Sequence, residues 1–405
     1  MEFKKVKLGE CVDYILDYRG KTPKKSKTGI PTLSAKSVKN NFIDYDEVYY
    51  ISRDEYNRFM SKGFPRIGDI LMTMEAPLGL VATLDRDDVG LGQRIVTIRG
   101  KKDFLDNNYL KFYLQSPKGQ HELYSRATGT TVVGISQKNF KNIDIVIPSL
   151  ENQIRIGRIL NNYNIKIEIN NKIISNLESQ AQAIFKSWFV DFEPFQDGDF
   201  VESELGMIPE GWEVKELGEL FKFVKGKKPK DLHEKYEDNF IPYIVKGVMD
   251  GLETPKFTNE INIVKIKKLD CFMLMDGANS GNIYYGYDGA LGSTFALLES
   301  KNQVYRELIY WKLKTNESII KNQNTGSAIP HANKDFINKM NVAIPINIEE
   351  NEILKTLENF RIKINSLNNQ NTKLAELRDA LLPKLMAGEI DVSNIKIEGE
   401  EVKNE

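Results

Sequence analysis

Several short patterns in the sequence contain residue types used in catalysis or phosphate binding. Gly20-Lys21-Thr22 ends like a phosphate-binding loop, but Ile15 stands where such a loop requires glycine. Asp88-Val89-Gly90-Leu91-Gly92 has the glycines of a cofactor loop but carries Asp in place of its aromatic residue, so a glycine turn is the better interpretation. The three histidines, His121, His233 and His331, are scattered, and two cysteines give no zinc-binding spacing. These patterns predict no catalytic residue and no metal site.

Two kinds of DNA-modifying enzyme are also excluded. An adenine N6-methyltransferase holds its flipped base with an Asn/Asp-Pro-Pro-aromatic loop, and the 14 prolines of this chain are never adjacent. Asp199 with Glu213-Val214-Lys215 matches a nuclease pattern only loosely, in a segment that joins two parts of the chain. The sequence therefore predicts a protein that is not itself an enzyme.

Basic patches at matching places in two parts of the chain are what contact with nucleic-acid phosphates would require, although from charge alone a solvated charged face is the better interpretation. Arginine and asparagine form paired hydrogen bonds with guanine and adenine, whereas lysine and hydroxyl groups more often hold phosphate. Turns with these residues occur in two parts of the chain, although a solvated charged face would show the same composition. The predicted contacts are Arg19, Lys21, Lys36, Arg94, Thr130 and Thr131 in the first part, and Lys225, Lys227, Lys228, Lys246, Asn279, Ser280 and Ser327 in the second.

The two parts are copies of one pattern. Leu8-Gly9-Glu10 returns as Leu217-Gly218-Glu219, and Leu91-Gly92 returns as Leu291-Gly292. Thr128-Gly129 matches Thr325-Gly326. The period is too long for a solenoid or a propeller, so it indicates a duplicated domain.

Each copy alternates short β-like runs with turns and one short helical run, without a regular strand–helix alternation. This pattern predicts an α+β module. The predicted strands are Ile70–Thr73, Leu80–Leu84, Ile95–Ile98 and Ile143–Ile147 in the first copy, and Phe272–Met275, Asn282–Tyr285, Phe295–Leu298 and Val342–Ile344 in the second. The predicted short helices are Tyr109–Leu114 and Leu308–Leu313.

A long amphipathic segment follows each copy. Its apolar residues step by alternating four and three, which predicts the seam of a coiled coil. The first seam contains Ile156, Leu160, Tyr163, Ile167, Asn170, Ile174, Leu177, Ala181, Ile184 and Trp188. The second contains Ile353, Leu357, Phe360, Ile364, Leu367, Asn371, Leu374, Arg378, Leu381 and Leu385.

The polar seam residues predict how the two helices pair. An antiparallel register that places Ile156 opposite Leu385 also places Asn170 opposite Asn371, so that each amide has a polar partner. The same register places Arg378 opposite Tyr163, where its guanidinium can lie over the ring. A parallel pairing leaves each Asn opposite an apolar residue, so the sequence favours two antiparallel helices.

Composition and charge bound the class of protein. Hydrophobic residues make up 41% and charged residues 28% of the chain, as in ordinary globular proteins, and the formal net charge is −1. No apolar run approaches a membrane span, the N-terminus has no apolar signal core, and Cys11 and Cys271 lie in different copies. We therefore expect a cytoplasmic protein without disulfides and without a membrane partner.

Several longer motifs resemble those of a known family. The run from Ala183 to Phe195 is similar to the central conserved region of type I restriction-modification specificity (S) subunits, and Leu205–Trp212 is similar to the segment that opens their second target-recognition domain. Gly129–Phe140 and Leu377–Met386 also resemble family signatures. The second copy departs from the pattern at Thr325–Ala332, which lacks the Thr-Thr and Gly-Ile-Ser-Gln pieces.

The resemblance implies a non-catalytic subunit that reads a split double-stranded DNA target with two target-recognition domains. It implies no cofactor in this chain, with S-adenosylmethionine bound by the partner modification subunit. Two modification subunits, and restriction subunits in the full complex, are the implied protein partners. The expected domains are a first target-recognition domain (1–150), a first spacer helix (151–190), an acidic linker (191–211), a second target-recognition domain (212–348), a second spacer helix (349–387) and an acidic tail (388–405).

We expect the modification subunits to bind the helices and the segment that follows the first one. Ile165, Ile169 and Ile173 are apolar but lie off the seam, which leaves two explanations: they bind a partner, or they pack against the recognition modules. The expected interface residues are these three together with Phe189, Phe192 and Phe195. The alternative to a DNA-specificity subunit is a two-headed protein-binding scaffold that does not contact DNA.

Overall fold

The structure is a computed structural model that describes residues 2–326, 329–348 and 351–395. The chain divides into two compact units. The first unit is Met1–Ile169 with Asn371–Glu405, and the second is Asn170–Gln370. Each unit therefore contains one copy of the repeated pattern and a portion of both long helices.

The first unit contains two four-stranded sheets and one two-stranded sheet. Its strands are Lys4–Lys7, Val12–Asp17, Lys25–Ser26, Ile30–Leu33, Tyr49–Ile51, Ile70–Met74, Leu78–Thr83, Gly90–Leu91, Ile95–Gly100 and Asp144–Ile147. Its short helices are Leu8–Cys11, Tyr45–Glu47 (a 3-10 turn), Arg53–Phe59, Asn107–Gln115, Pro117–Tyr124 and Gln137–Lys141.

The second unit repeats most of these elements. Its strands are Phe200–Ser203, Gly206–Pro209, Trp212–Glu216, Phe221–Lys225, Ile241–Ile244, Phe257–Thr258, Lys265–Ile266, Phe272–Leu274, Ile283–Tyr284, Gly289–Leu291, Phe295–Ser300 and Asn341–Pro345. Its short helices are Glu193–Phe195 (a 3-10 turn), Leu217–Leu220, Lys246–Met249, Tyr305–Thr315, Glu317–Asn322 and Lys334–Asn338.

The sheets of the two units share their topology, which confirms the duplicated α+β module. In each unit an antiparallel sheet begins with the strand that follows the Leu-Gly-Glu turn, and its second strand is Ile95–Gly100 or Phe295–Ser300. In each unit one neighbouring pair of strands is parallel, with Leu33 beside Leu91 in the first and Ile244 beside Leu291 in the second. The predicted strands and short helices coincide with observed elements to within a few residues.

The two long helices are Leu150–Phe189 and Glu352–Ala387. All predicted seam positions of both helices are buried or partly buried, as a coiled-coil seam requires. The residues around the seam include many exposed polar side chains, so apolar burial is concentrated along one face of each helix. The predicted seam is confirmed.

The helices run antiparallel within each unit. In the first unit Ile156 and Leu160 of the first helix belong to the same apolar cluster as Leu382 and Leu385 of the second helix. In the second unit Phe185 of the first helix shares a cluster with Leu354 and Leu357 of the second. The start of one helix thus packs beside the end of the other, and both clusters continue into the core formed by the neighbouring sheet and short helices.

Two polar residues of the seam test the predicted register. Asn170 lies within one residue of its predicted partner, whereas Arg378 does not make its predicted contact. Asn170 is buried, and its Nδ2 donates to Oε1 of Gln370, the residue before the predicted partner, at 2.7 Å. The predicted stacking of Arg378 on Tyr163 is wrong. The Arg378 guanidinium donates instead to Asn164 Oδ1 at 2.6 Å and to Asp379, because these oxygens accept directed, charge-assisted hydrogen bonds.

Within the second unit, a buried ion pair joins the second long helix to the short helix Tyr305–Thr315. Arg361 is fully buried and donates from Nε to both carboxylate oxygens of Glu307, at 3.0 and 2.9 Å. Its guanidinium also lies 4.7 Å from the ring centroids of both Tyr285 and Tyr310. Breaking such a pair by removing one partner typically costs about 3–5 kcal/mol, since the other charge is left buried.

Three further sequence expectations meet the structure here. Cys11 and Cys271 are both buried and free of disulfides, and burial raises the pKa of each thiol to about 11. The segment 191–211, expected as an acidic linker, holds a 3-10 turn and an antiparallel hairpin in which Phe200 pairs with Pro209. No helix in the part of the chain that the structure describes has the apolar length of a transmembrane segment.

In the first unit, one lysine is buried against the first long helix. Lys111, on the helix Asn107–Gln115, is 2% exposed, and its Nζ donates to Asn161 Oδ1 of the long helix at 2.9 Å. Burial, with a smaller effect from the charge of Arg378, lowers the pKa of Lys111 from 10.5 to about 8. Between these two values the unfolded chain binds more protons than the folded chain, so this group makes the protein more stable as pH rises from 8.

We predict that Lys111→Met removes this pH dependence. At pH 7 the variant should be more stable than the parent by about 3 kcal/mol, because the pKa of Lys111 falls from 10.5 to about 8 and one pKa unit corresponds to about 1.4 kcal/mol. The difference should shrink between pH 8 and pH 9. Urea unfolding at pH 7, 8 and 9 measures it. Lys118→Met, at an exposed position on the next helix, is the control and should follow the parent; a Lys111→Met profile parallel to the parent's contradicts the assignment.

Candidate nucleic-acid interface

Four segments of the first unit converge to form what we call the first loop cluster, residues 18–22, 75–77, 92–94 and 128–135. Arg19 Nη1 donates to Ile135 O at 3.0 Å, and the side chain of Gln93 donates to Thr22 Oγ1. Backbone hydrogen bonds join Met74 to both Arg94 and Ile135, at 2.8 and 3.0 Å. Loops from different parts of the sequence are thus held together beside the ends of the central strands, where recognition residues are commonly placed.

The second unit contains a matching second loop cluster, residues 226–228, 276–281, 292–294 and 324–332, of which 327 and 328 lie outside the described residues. Lys227 N donates to Leu291 O at 3.0 Å, which ties the first of these segments to the end of the strand that precedes the third. Met275 is bonded through its backbone to Thr294 at 2.8 Å and to Ala332 at 2.9 Å. Met74 and Met275 therefore hold their clusters together in the same way.

The loops after Thr128-Gly129 and Thr325-Gly326 share their backbone pattern despite their different sequences. Thr128 exchanges two backbone hydrogen bonds with Gly134, and Thr325 exchanges two with His331. Both glycines have positive φ, 99° and 90°, and a Cβ there would lie 2.2 Å from Val132 O or 2.4 Å from Ile329 O. The departure of the second copy from the family signature is therefore a change of side chains on the same backbone framework.

Most predicted DNA contacts lie on the surface of the two units. The exposed candidates are Lys21, Lys36, Arg94, Thr130, Thr131, Lys225, Lys227, Lys228 and Asn279. Of these, Lys21, Arg94, Thr130, Thr131, Lys227, Lys228 and Asn279 belong to the loop clusters, while Lys225 ends the strand that leads into the second one. Lys36 lies just after the strand Ile30–Leu33, whose Leu33 O accepts from Gly92 N at 2.7 Å.

Three predicted basic contacts are paired with carboxylates. Arg19 donates to both oxygens of Asp17; burial works to raise the pKa of Asp17, but the hydrogen bonds and charge of Arg19 outweigh it and lower that pKa. The carboxylate of Asp250 raises the pKa of Lys246, with which it forms an ion pair. Arg94 Nε lies 3.4 Å from Glu75 Oε1 in a looser pair, and the Arg94 side chain is 49% exposed. Arg94 is therefore the most available of the three.

One candidate contact is corrected by the structure. Ser280 is fully buried, and its Oγ accepts from Asn324 Nδ2 at 2.8 Å while its backbone carbonyl accepts from the same group. Its hydroxyl is used to hold two segments of the second loop cluster together, so it does not present a surface to DNA. Ser327, the remaining candidate, lies outside the described residues.

The three aromatic residues expected at a subunit interface belong instead to the core of the second unit. Phe189 and Phe192 are buried, and Phe195 packs against the same cluster. Their ring centroids lie 5.1 to 5.7 Å from that of Trp212, so all three surround one indole. The expectation is corrected because aromatic packing within the unit takes up these side chains.

The three off-seam isoleucines are on the surface. Ile165 and Ile169 in the first unit are each 44% exposed, and Ile173 in the second unit is 39% exposed. Of the two explanations offered by the sequence, this exposure favours partner binding over packing against the recognition modules. A row of exposed isoleucines spaced by four residues on one helix is typical of a partner-binding face.

Sequence reasoning missed two acidic residues of the loop clusters and one histidine. Glu75 and Asp276 follow equivalent strands, and each pairs with a nitrogen-bearing side chain of its cluster: Glu75 with Arg94, and Asp276 Oδ1 with His331 Nδ1 at 2.8 Å. In the sequence His331 is one of three scattered histidines and gives no sign of this pairing. Aligning the two copies from their matched Thr-Gly pairs places His331 at the position that Gly134 holds in the first copy.

Comparison with known proteins decides the family. The family model described as the type I restriction modification DNA specificity domain matches residues 1–179 and 209–377, which include both copies of the pattern. The chain belongs to this family. The specificity family thus accounts for the internal repeat, because its model occurs twice in the chain.

Individual members of the specificity family are similar over different lengths. The MjaVIII specificity subunit of Methanocaldococcus jannaschii is 32% identical over 47% of this chain, and the match spans 45% of that relative's own length. The MjaIX specificity subunit of the same organism is 28% identical over 90% of this chain and 88% of the relative. A crystal structure of the type I restriction-modification S subunit from M. genitalium has the same fold, with a TM-score of 0.59 at 18% identity over 95% of this chain and 96% of that one.

These comparisons confirm the class of protein that the sequence predicted. The chain is a non-catalytic DNA-specificity subunit of the type I restriction-modification family, with two recognition regions and two long helices.

Proposed function

We propose that the two loop clusters are the DNA-reading surfaces of this specificity subunit, and that each reads one half of a split double-stranded target. The observation that carries the proposal is the shared backbone framework of the two clusters. Met74 and Met275 join equivalent loops by equivalent hydrogen bonds, while the side chains on those loops differ. A constant framework with variable side chains is what two related readers of different half-sites require.

The proposed contacts divide by chemistry. Exposed lysines, among them Lys21, Lys227 and Lys228, are suited to phosphate contacts, which position the protein on the duplex without selecting a sequence. Arg94 and Asn279 can form paired hydrogen bonds with base edges in the major groove. The threonine hydroxyls of Thr130 and Thr131 are exposed on the loop closed by Gly129 and serve either role.

We assign the remainder of the chain to spacing and assembly. The recognition domains are residues 1–150 and 212–348, and the spacer helices are 151–190 and 349–387, joined through 191–211 and followed by an acidic tail. The exposed isoleucines of the first spacer helix bind modification subunits, two in the assembled enzyme, and restriction subunits join through them. S-adenosylmethionine is bound by the modification subunit, and the complex acts in the cytoplasm, where the host DNA is.

The function is tested by binding to a duplex that carries the target. Mapping methylated adenines in host DNA identifies that target, and a gel shift then compares it with a scrambled duplex, with and without modification subunits. We expect selective binding by the assembled complex. Binding in neither case would overturn the DNA proposal and favour the protein-binding scaffold. Because phosphate contacts release counterions, the affinity should also fall steeply with salt.

Arg94→Ala should relax recognition of the first half-site only. A paired contact with a base is worth about 1–3 kcal/mol of discrimination, or roughly 5- to 150-fold. The measurement is the dissociation constant of the assembled complex for duplexes with single substitutions in each half-site.

The matched control for Arg94 is Lys102→Ala, which removes an exposed positive charge from a turn outside the first loop cluster. It should leave discrimination unchanged. An Arg94→Ala complex that loses the same affinity for every duplex would show that the residue contacts phosphate alone.

Ile169→Asp should weaken assembly with modification subunits by about thirtyfold or more while the subunit stays folded. An isoleucine at the centre of an apolar interface typically contributes 2 kcal/mol or more, and a carboxylate in its place is desolvated without a partner. Its exposure in the subunit means that the substitution leaves the core intact. Co-elution in size-exclusion chromatography measures assembly, and circular dichroism measures folding.

Ser175→Asp provides the control for assembly. Ser175 is also exposed on the first long helix but lies two residues beyond Ile173, on a different side of the helix. Full assembly of the Ser175→Asp variant together with loss for Ile169→Asp supports the proposed face. Full assembly of both variants would exclude it.

A further inference from the structure

His331 and Asp276 form a side-chain pair in the second loop cluster, whereas the equivalent acid of the first cluster, Glu75, pairs with Arg94. Thr325 and His331 exchange backbone hydrogen bonds as Thr128 and Gly134 do, so His331 occupies the place of a glycine. The pair therefore adds an imidazole to the second cluster at a point where the first cluster has no side chain.

The backbone around the pair is fixed on both sides. Gly277 N donates to Pro330 O at 2.9 Å, and Ala332 N donates to Met275 O at 2.9 Å, which places Asp276 and His331 in an antiparallel bridge. Asp276 Oδ1 lies 2.8 Å from His331 Nδ1, and the His331 side chain is 50% exposed. The ring is thus held in one orientation and still reaches the surface.

The aspartate also determines which ring nitrogen faces outward. An ionised carboxylate only accepts hydrogen bonds, so the hydrogen between the two groups resides on Nδ1. In the neutral ring this leaves Nε2 as an acceptor. The negative charge of Asp276 directly behind the ring disfavours the approach of a phosphate, so a base edge is the better partner. The exocyclic amino group of adenine or cytosine in the major groove is the matching donor.

We propose that His331 is a specificity-determining residue that accepts a hydrogen bond from the amino group of a base in one half-site, and that Asp276 is its positioning residue. The inference rests on the proposed function, since it requires the second loop cluster to read DNA. It also predicts that the two half-sites are read with different chemistry, because Thr294 occupies the place of Arg94 in the second cluster and Gly134 occupies the place of His331 in the first.

The test uses the full chain assembled with modification subunits at pH 8 and measures dissociation constants for every single substitution in both half-sites. His331→Ala should reduce discrimination about tenfold at one base pair of one half-site and leave the other half-site unchanged. Removing the amino group from that base should cost the parent a similar factor and cost the His331→Ala complex almost nothing, because the two changes remove the same contact.

The positioning role has its own readout. Asp276→Asn keeps an oxygen that accepts the Nδ1 hydrogen and should retain most of the discrimination, whereas Asp276→Ala should lose it. The chain has 3 histidines, so selective ¹⁵N-histidine labelling of the full chain resolves the ring nitrogens of His331. Their shifts should report a protonated Nδ1 in the parent and in Asp276→Asn, and a change in Asp276→Ala.

His233→Gln is the matched control, because His233 is the other histidine of this unit that pairs with an aspartate, Asp231, at 3.3 Å and outside the second loop cluster. It should leave discrimination unchanged. The inference would be overturned if His331→Ala lost the same affinity for all duplexes or lost none. A protonated Nε2 in the parent would also overturn it. A parent complex that shows no selectivity in either half-site would overturn the proposed function itself, which is a different result.

Discussion

The rest of the structure depends on one requirement, which is that the apolar seams of the two long helices must be buried. Single amphipathic helices of this kind are only marginally stable in water, and most of their stability comes from tertiary packing. Within each unit, the start of one helix and the end of the other join the same apolar cluster as the neighbouring sheet. Neither recognition module is therefore complete with its own following helix alone, and both helices are part of each module's core.

Buried polar contacts give that packing its specificity. Arg361 is enclosed by Glu307, Tyr285 and Tyr310, and Lys111 is bonded to Asn161 of the first long helix. Apolar contacts alone tolerate small shifts of a helix along its axis, whereas a directed hydrogen bond to a buried charge does not. These contacts fix each long helix against a short helix of its unit, Asn107–Gln115 in the first and Tyr305–Thr315 in the second.

The two loop clusters share one backbone framework, which in the proposed function serves two DNA-reading surfaces. Their backbones are joined by equivalent hydrogen bonds through Met74 and Met275, so that a change of side chain on a loop does not require a change of architecture. Arg94 on one cluster and the His331–Asp276 pair on the other are such changes. In the proposed function, sequence specificity is a property of a small number of exposed side chains on a shared backbone framework.

The sequence by itself determined the duplication, the α+β class of each copy and the antiparallel pairing of the helices, because these follow from periodic burial and from the need to pair Asn170 with a polar residue. It also placed basic residues in matching turns of the two copies. Only the tertiary structure decided that Ser280, Phe189 and Phe192 are buried, that Arg378 bonds Asn164, and that His331 meets Asp276. Local periodicity records whether a residue faces inward, whereas the partner of a loop side chain depends on segments far away in the chain, which only the folded structure brings within hydrogen-bonding distance.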